Sequence, residues 1–321
     1  MIKWKNLDPS LQSMLASVGI PGVADVHYVT TSTSNAVKAY WDRATGGVNK
    51  FTSISGAHSG ATSGRNDVIL LSPESHSQAA KITWSKNMTH LIGMYGPAMM
   101  NQRSRIGHSA NFATMLDVTG YGNTFANLYF MYGRGSATNT NLLTVTGDRN
   151  TFYRCHFGGP MHATEAGTAG FTIAEILGTE NYFKNCVFGI SSMELTAAIN
   201  TVKFGGSGYD PRTIFEDCIF LANAGSGAAG SFFFKTQAGV GESFAIFRNC
   251  QMINIGGTAL TYGIDGTGSS AQKLIFSGDS YFIGCTDVVA AAYEGNVFFP
   301  ANNYASSDKL YNGLAINPDV S

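Results

Sequence analysis

The chain has 321 residues and a net charge of −1, and only 13% of its residues are charged, against roughly 25% in ordinary soluble proteins. No basic block is present, which argues against a nucleic-acid partner, and there is no run of about 18 apolar residues to span a membrane. Glycine (38 residues), serine, threonine and asparagine stand where charge would be, so the expected surface is polar but nearly uncharged.

Residues 1–24 read as an N-terminal arm. Lys3 and Lys5 are followed by no unbroken apolar stretch, so no secretory signal is expected and synthesis in a reducing cytosol follows. DPSLQSMLASV (8–18) predicts a short helix with Asp8 as N-cap and Pro9 at its first position. Leu11, Met14, Leu15 and Val18 share one face of it, and Gly19 and Pro21 end it. That face has two readings: a lid over the first coil of a repeat array, or an arm that docks on a partner protein.

From Asp25 to Gly96 the chain offers short strands, clearest in HYVTT, DVILLS, KITW and THLIGM. Between them SGAHSGATSGRN (55–66) predicts a glycine- and serine-rich loop. A repeat then emerges. FYRCHF, FKNCVF, FEDCIF, FRNCQM and FIGCTD place cysteine at 155, 186, 218, 250 and 285, spacings of 31, 32, 32 and 35 residues, and FANLYF carries Leu128 in the same place. A fixed period of this size signals one supersecondary unit stacked on itself, hence one continuous solenoid over 25–296.

In stacked parallel strands, equivalent inward positions lie roughly 4.8 Å apart. Three columns are therefore expected: Phe125, Phe152, Phe183, Phe215, Phe247 and Phe282; Leu128 followed by Cys155, Cys186, Cys218, Cys250 and Cys285; and Phe130, Phe157, Phe188, Phe220 and Met252. The cysteines should be free buried thiols. Phenylalanine and cysteine both point inward only if the chain bends between them, at Asn127, Arg154, Asn185, Asp217, Asn249 and Gly284. All but Arg154 are residue types that tolerate a left-handed backbone. Residues 297–321 lack periodicity and read as an irregular C-terminal tail, a strap over the last coil or onto a partner.

The phrasing of NTFANLYF and NYFKNCVF resembles right-handed parallel β-helix proteins of the pectin-lyase-like superfamily, in which asparagines recur at the bends. The resemblance covers about residues 25–300 and implies an all-β, single-stranded solenoid. It implies little about function, because that superfamily includes lyases, hydrolases, phage tailspikes and non-enzymatic virion proteins. The lyase branch carries R-x-P-x-x-R; the nearest stretch, YDPRTIFED (209–217), lacks the second arginine. The Asn-Thr-Asp and Asp-Asp signatures of the hydrolase branch do not occur.

Asp148, Glu180, Asp210, Glu242 and Asp279 precede successive repeat cysteines and should stack along one edge. Two such carboxylates serve as acid and base in glycoside cleavage or hold a hard cation; the competing reading is ordinary turn chemistry. Asp148, Glu180 and Asp210 are the catalytic candidates under the first reading. None of His27, His58, His76, His90, His108, His156 and His162 has metal-ligand spacing. His156 is expected to face solvent, and His58 and His76 to lie in loops. Arg103 and Arg105 form a candidate anion clamp, and Tyr121, Tyr129, Tyr132, Tyr153 and Tyr182 a candidate sugar platform. No cofactor or metal is predicted. These features favour a structural virion protein, made in a host cytoplasm, that decorates a bacteriophage shell by binding the major capsid protein and copies of itself, with a trimer implied by the resemblance alone. The alternative is a tailspike-like protein that binds or cleaves polysaccharide.

Overall fold

The computed structural model describes residues 9–299, except 18, 21, 33–37, 40–41, 43–48, 95–99, 240–242, 267, 269–271, 291–292 and 294–295. Apolar and polar residues alternate over a few positions and then turn, so short strands dominate. The strands stack into three parallel sheets of 11, 8 and 8 strands, called A, B and C below. One circuit runs through Thr124–Ala126 in A, Leu128–Met131 in B and Asn141–Val145 in C. Thr151–Tyr153 then returns to A beside the first strand. The molecule is a right-handed parallel β-helix of about 7 turns.

Its axis is filled by the expected columns. Phe125, Phe152, Phe183, Phe215 and Phe247 pair in direct register. Their rings stack nearly parallel, with centroids 4.9, 4.5, 4.9 and 5.0 Å apart. The sheet B column meets them edge-on, as Phe188 does Phe183 at 5.6 Å and 60°. Each buried ring is worth about 1.5–3 kcal/mol from burial, and each aromatic pair about 0.5–1.5 kcal/mol more.

Every expected bend residue has a left-handed backbone: φ is 58° at Asn127, 52° at Arg154, 52° at Asn185, 54° at Asp217, 52° at Asn249 and 79° at Gly284. Arg154 adopts it despite its side chain, and its guanidinium lies 4.8 Å from the centre of the Tyr153 ring. The other asparagine of the repeat makes a buried ladder. Asn123 N donates to Asn150 Oδ1 (3.0 Å), and Asn150 N donates to Asn181 Oδ1 (2.9 Å). The amides of Asn150 and Asn181 reach back to the carbonyls of Gly120 and Gly147.

The last repeat departs from the expectation. Phe276, not Phe282, continues the sheet A column, 4.6 Å from Phe247. Phe282 pairs with Met252 in sheet B, and Cys285 opens a sheet C strand opposite Leu260. The physical reason is an extra corner residue. From 247 to 252 is five residues, but from 276 to 282 is six, so the corner is made by Gly278 (φ 63°). Gly284 bends instead between B and C. The string FIGC matches the repeat while its strands do not.

The N-terminal elements exchange roles. The Pro9–Ser17 helix does not cover the end of the first coil. Leu15, Ile20 and Val23 pack on Val26, Tyr28, Val68, Leu70, Ile92 and Ala126, which project outward from sheet A. Leu15 is fully buried there and is not free to dock on a partner; Val18 lies outside the described residues. The open end is closed by Ile54–Gly60, a helix inside the stretch expected to be a loop. Ile54 and Ala57 enter the main core. Ser53 caps its start by accepting from Gly56 N (3.1 Å). Lys86 Nζ donates to the carbonyls of His58 (2.5 Å), Ser59 (2.7 Å) and Ala61 at its end, a favourable place for a cation. At the far end Val297–Phe298 adds a strand to sheet A, and residues 300–321 lie outside the described set.

Candidate functional site

The turns from sheet C to sheet A carry the acidic row. They press together closely: a Cβ on Gly147 would sit 2.0 Å from the Gly120 carbonyl oxygen, and one on Gly178 2.1 Å from that of Gly147. Only glycine fits, and the residues that follow stack in consequence. Asp148 Oδ1 accepts from Thr179 N at 2.8 Å. Glu180, in a left-handed turn (φ 58°), accepts from Arg149 Nε at 2.6 Å. The next turn is longer, is bridged from Gly206 to Tyr209, and carries Tyr209, Asp210 and Arg212 alongside. The result is an open cleft of about 430 Å³ lined by Thr146, Asp148, Thr179, Tyr209, Asp210 and Arg212.

The structure thus brings together Asp148 and Asp210 and leaves Glu180 outside the cleft in its ion pair. Asp279 lies at the far end, where its N–H donates to Asn249 Oδ1, and Glu242 falls outside the described residues. Tyr209, 39% exposed, and Arg212 are the cleft residues that sequence reasoning missed. The signal was the longer spacing before YDPR, which marks an enlarged turn. No group of three or more His, Cys, Asp or Glu side chains able to hold a metal ion occurs among the described residues. Two carboxylates, a guanidinium, a phenol and two hydroxyls make the cleft a hydrogen-bonding surface rather than a cation cage.

The histidines correct three expectations. His156 is 4% exposed: its ring stacks on Tyr129 at 4.3 Å and its Nε2 meets Gly189 O at 2.8 Å. Burial lowers its pKa to about 4. His58 belongs to the capping helix. His76 belongs to the Ser75–Gln78 strand, buried with Nε2 near Ser72 Oγ (3.2 Å) and Ser72 O (3.1 Å). Of the proposed tyrosine platform, Tyr132 is fully buried and bonded to Phe112 O. Tyr182 is tied to Glu216 (2.9 Å), and burial together with that carboxylate raises it to about 12. Arg105 lies over Tyr129, 5.9 Å from the ring centre.

The thiols are core groups. Cys155, Cys186, Cys218 and Cys250 each donate to a phenylalanine carbonyl of the preceding coil, at 3.4, 3.4, 3.5 and 3.6 Å. Burial pushes Cys186 and Cys218 well above the ordinary thiol range and Cys285 up to about 12. Such thiols are not nucleophiles.

Comparison with solved structures agrees with this architecture. Pectate lyase Pel9A superposes with a TM-score of 0.60 at 16% identity, over 93% of this chain and 75% of that one. The fold is that of the pectin-lyase-like β-helices. Pectin methylesterase PemA from Erwinia chrysanthemi gives 0.55 at 13% identity, over 89% and 92% of the two chains. An alginate lyase from a Paenibacillus strain gives 0.52 at 12% identity, over 82% and 92%. At these identities the likeness shows the fold alone. No protein-family model matches the sequence, and no curated protein matches it.

Proposed function

We propose that this pectin-lyase-like β-helix is a non-catalytic structural protein that decorates a bacteriophage shell. The observation that carries the reading is the commitment of its carboxylates. Asp148 holds the neighbouring turn through Thr179 N, and Glu180 is paired with Arg149. Much of the remaining surface charge is paired between coils in the same way. On sheet C, Lys81 meets Asp117 (2.9 Å), Lys203 meets Glu175 (2.9 Å) and Lys235 meets Asp265 (3.1 Å). A surface with its charges self-paired suits close packing against copies of itself and a capsid protein. Electron microscopy of native particles tests this directly. Subunits at regular positions on an icosahedral shell are the expected result; subunits confined to a tail tip would overturn the reading.

A second reading, polysaccharide binding or cleavage, is favoured by the cleft. An exposed tyrosine beside carboxylates and an arginine is a surface that sugars use. The three solved structures above are a pectate lyase, a pectin methylesterase and an alginate lyase. A reducing-end assay on bacterial surface glycans separates the two. Activity that disappears in Asp148→Asn and Asp210→Asn would replace the structural reading with this one.

A further inference from the structure

A second cavity lies at the N-terminal end of the solenoid, between the Ile54–Gly60 helix and the corner joining strands Ser75–Gln78 and Ile82–Trp84. It measures about 420 Å³, within the range of small-molecule sites. Its floor is His58, Gln78 and Ile82, each at least nine-tenths buried. Exposed Ser59, Ser77 and Ala80 stand at the rim. We infer that this cavity is a binding site for a neutral, polyhydroxylated ligand such as a single sugar ring. The site is separate from the charged cleft and stands whichever reading of that cleft is correct.

The floor contains a polar group the fold does not satisfy. His58 is 8% exposed and its ring lies 4.4 Å from that of Trp84. Its Nε2 has no hydrogen-bond partner among the described residues. Leaving such a group unpaired is unfavourable, and a ligand hydroxyl can pair with it after a turn about the soft χ2 bond. The imidazole is neutral, because burial and the nearby Lys86 charge lower its pKa to about 4. Lys86 itself is held by three carbonyls. The remaining charge on the lining is Lys81, which Asp117 neutralises at 2.9 Å.

A phosphate or carboxylate ligand would therefore find no unpaired cation, and a metal ion would find one neutral ligand. Hydroxyl groups both donate and accept. They match an imidazole, the Gln78 amide and two serine hydroxyls, while Ala80 and Ile82 offer methyl groups to the C–H face of a ring.

The test is a titration of the isotope-labelled full chain, read as amide shifts in residues 53–59 and 77–83. The probes are glucose, galactose and N-acetylglucosamine, neutral oligosaccharides ending in them, and inorganic phosphate. Ala80→Tyr fills the cavity from an exposed position, so its thermal midpoint should match the parent. His58→Gln keeps a polar group but moves it. Saturable shifts with a neutral sugar, lost in Ala80→Tyr and weakened about tenfold in His58→Gln, are expected. Shifts with the free sugar identify a soluble ligand, and shifts confined to the oligosaccharides identify the end of a glycan chain. The inference is overturned if no neutral probe shifts these amides, if phosphate alone does, or if the shifts persist in Ala80→Tyr.

Discussion

From residue 123 to 254 the same corner geometry recurs coil after coil; from 25 to 93 each corner is built once, from a different set. In the repeat body a left-handed bend residue and a thiol recur coil after coil, each thiol donating to a phenylalanine carbonyl of the coil before, and from Asn123 to Asn181 an asparagine side chain accepts from its counterpart's N–H. Near the N-terminus charged groups do this work singly. Asp67, fully buried, accepts from Arg65 Nε (2.8 Å), Arg65 Nη2 (2.6 Å) and Thr62 N (2.7 Å). Glu74 gathers Thr30 Oγ1, Thr31 N and Ser72 Oγ. A ladder of like residues needs identical coils above and below. The first coils have neighbours that do not repeat their residues, so ionised side chains with many acceptor sites replace the ladder.

The sharpest way to break this comparison is to interrupt a column. Phe183 lies between rings 4.5 and 4.9 Å away; Phe183→Ala should cost about 3–5 kcal/mol, measured by urea denaturation. A cost below about 1 kcal/mol would mean that the stack is not cooperative.

Glu165 is the charged exception within the body. It is fully buried, and it accepts from the amides of Arg134 (2.8 Å), Gly135 (2.9 Å) and Ser136 (3.0 Å) and from Asn139 Nδ2 (2.5 Å). Desolvation is the largest influence and opposes ionisation, but these hydrogen bonds together outweigh it and hold the pKa below the ordinary carboxylate range. A folded-state pKa that is depressed stabilises above the unfolded value, about 4.3, and that stability fades as pH falls through the folded value. Glu165→Ala should cost about 3 kcal/mol at neutral pH, and Glu165→Gln should flatten stability against pH below about 4.3. An unchanged acid profile in the glutamine variant would remove Glu165 from the account.

Smaller effects probe the ladders. Asn150→Leu strands the donor of Asn123 and the carbonyl of Gly120, so a loss of about 2 kcal/mol is expected from thermal unfolding. Arg154→Asn should be neutral or stabilising by up to about 1 kcal/mol, since asparagine tolerates the left-handed bend better. Destabilisation there would show that the Tyr153 stacking outweighs the backbone strain.

The legible part of the fold was what repeats. Aromatic and cysteine columns and the bend residues announce themselves because one register applies to every coil between Phe125 and Met252. The last coil misled because FIGC preserves the residue types while Gly278 and Ser280 absorb a one-residue shift. The ends were illegible for another reason. Both N-terminal helices are short and apolar on one side, and only the three-dimensional position of sheet A decides which covers a face and which closes an end. His156 was misplaced because alternation predicts direction, not coverage: pointing away from the axis, it is still covered by the Tyr129 ring. The charged cleft depended on one enlarged turn that no period predicts.

The direction of the hydrogen bonds gives the molecule unequal mechanical strength. Bonds between strands run along the solenoid axis, so tension applied end to end loads the coil junctions in series, and the weakest junction fails first. In sheet B the strand Val187–Phe188 contributes only two register pairs to each neighbour, so yielding within that sheet should begin beside it. Force across the axis is instead shared by every coil at once. A subunit lying flat on a curved surface would meet stretching of that surface with its strong direction or its weak one, depending only on how its axis is set.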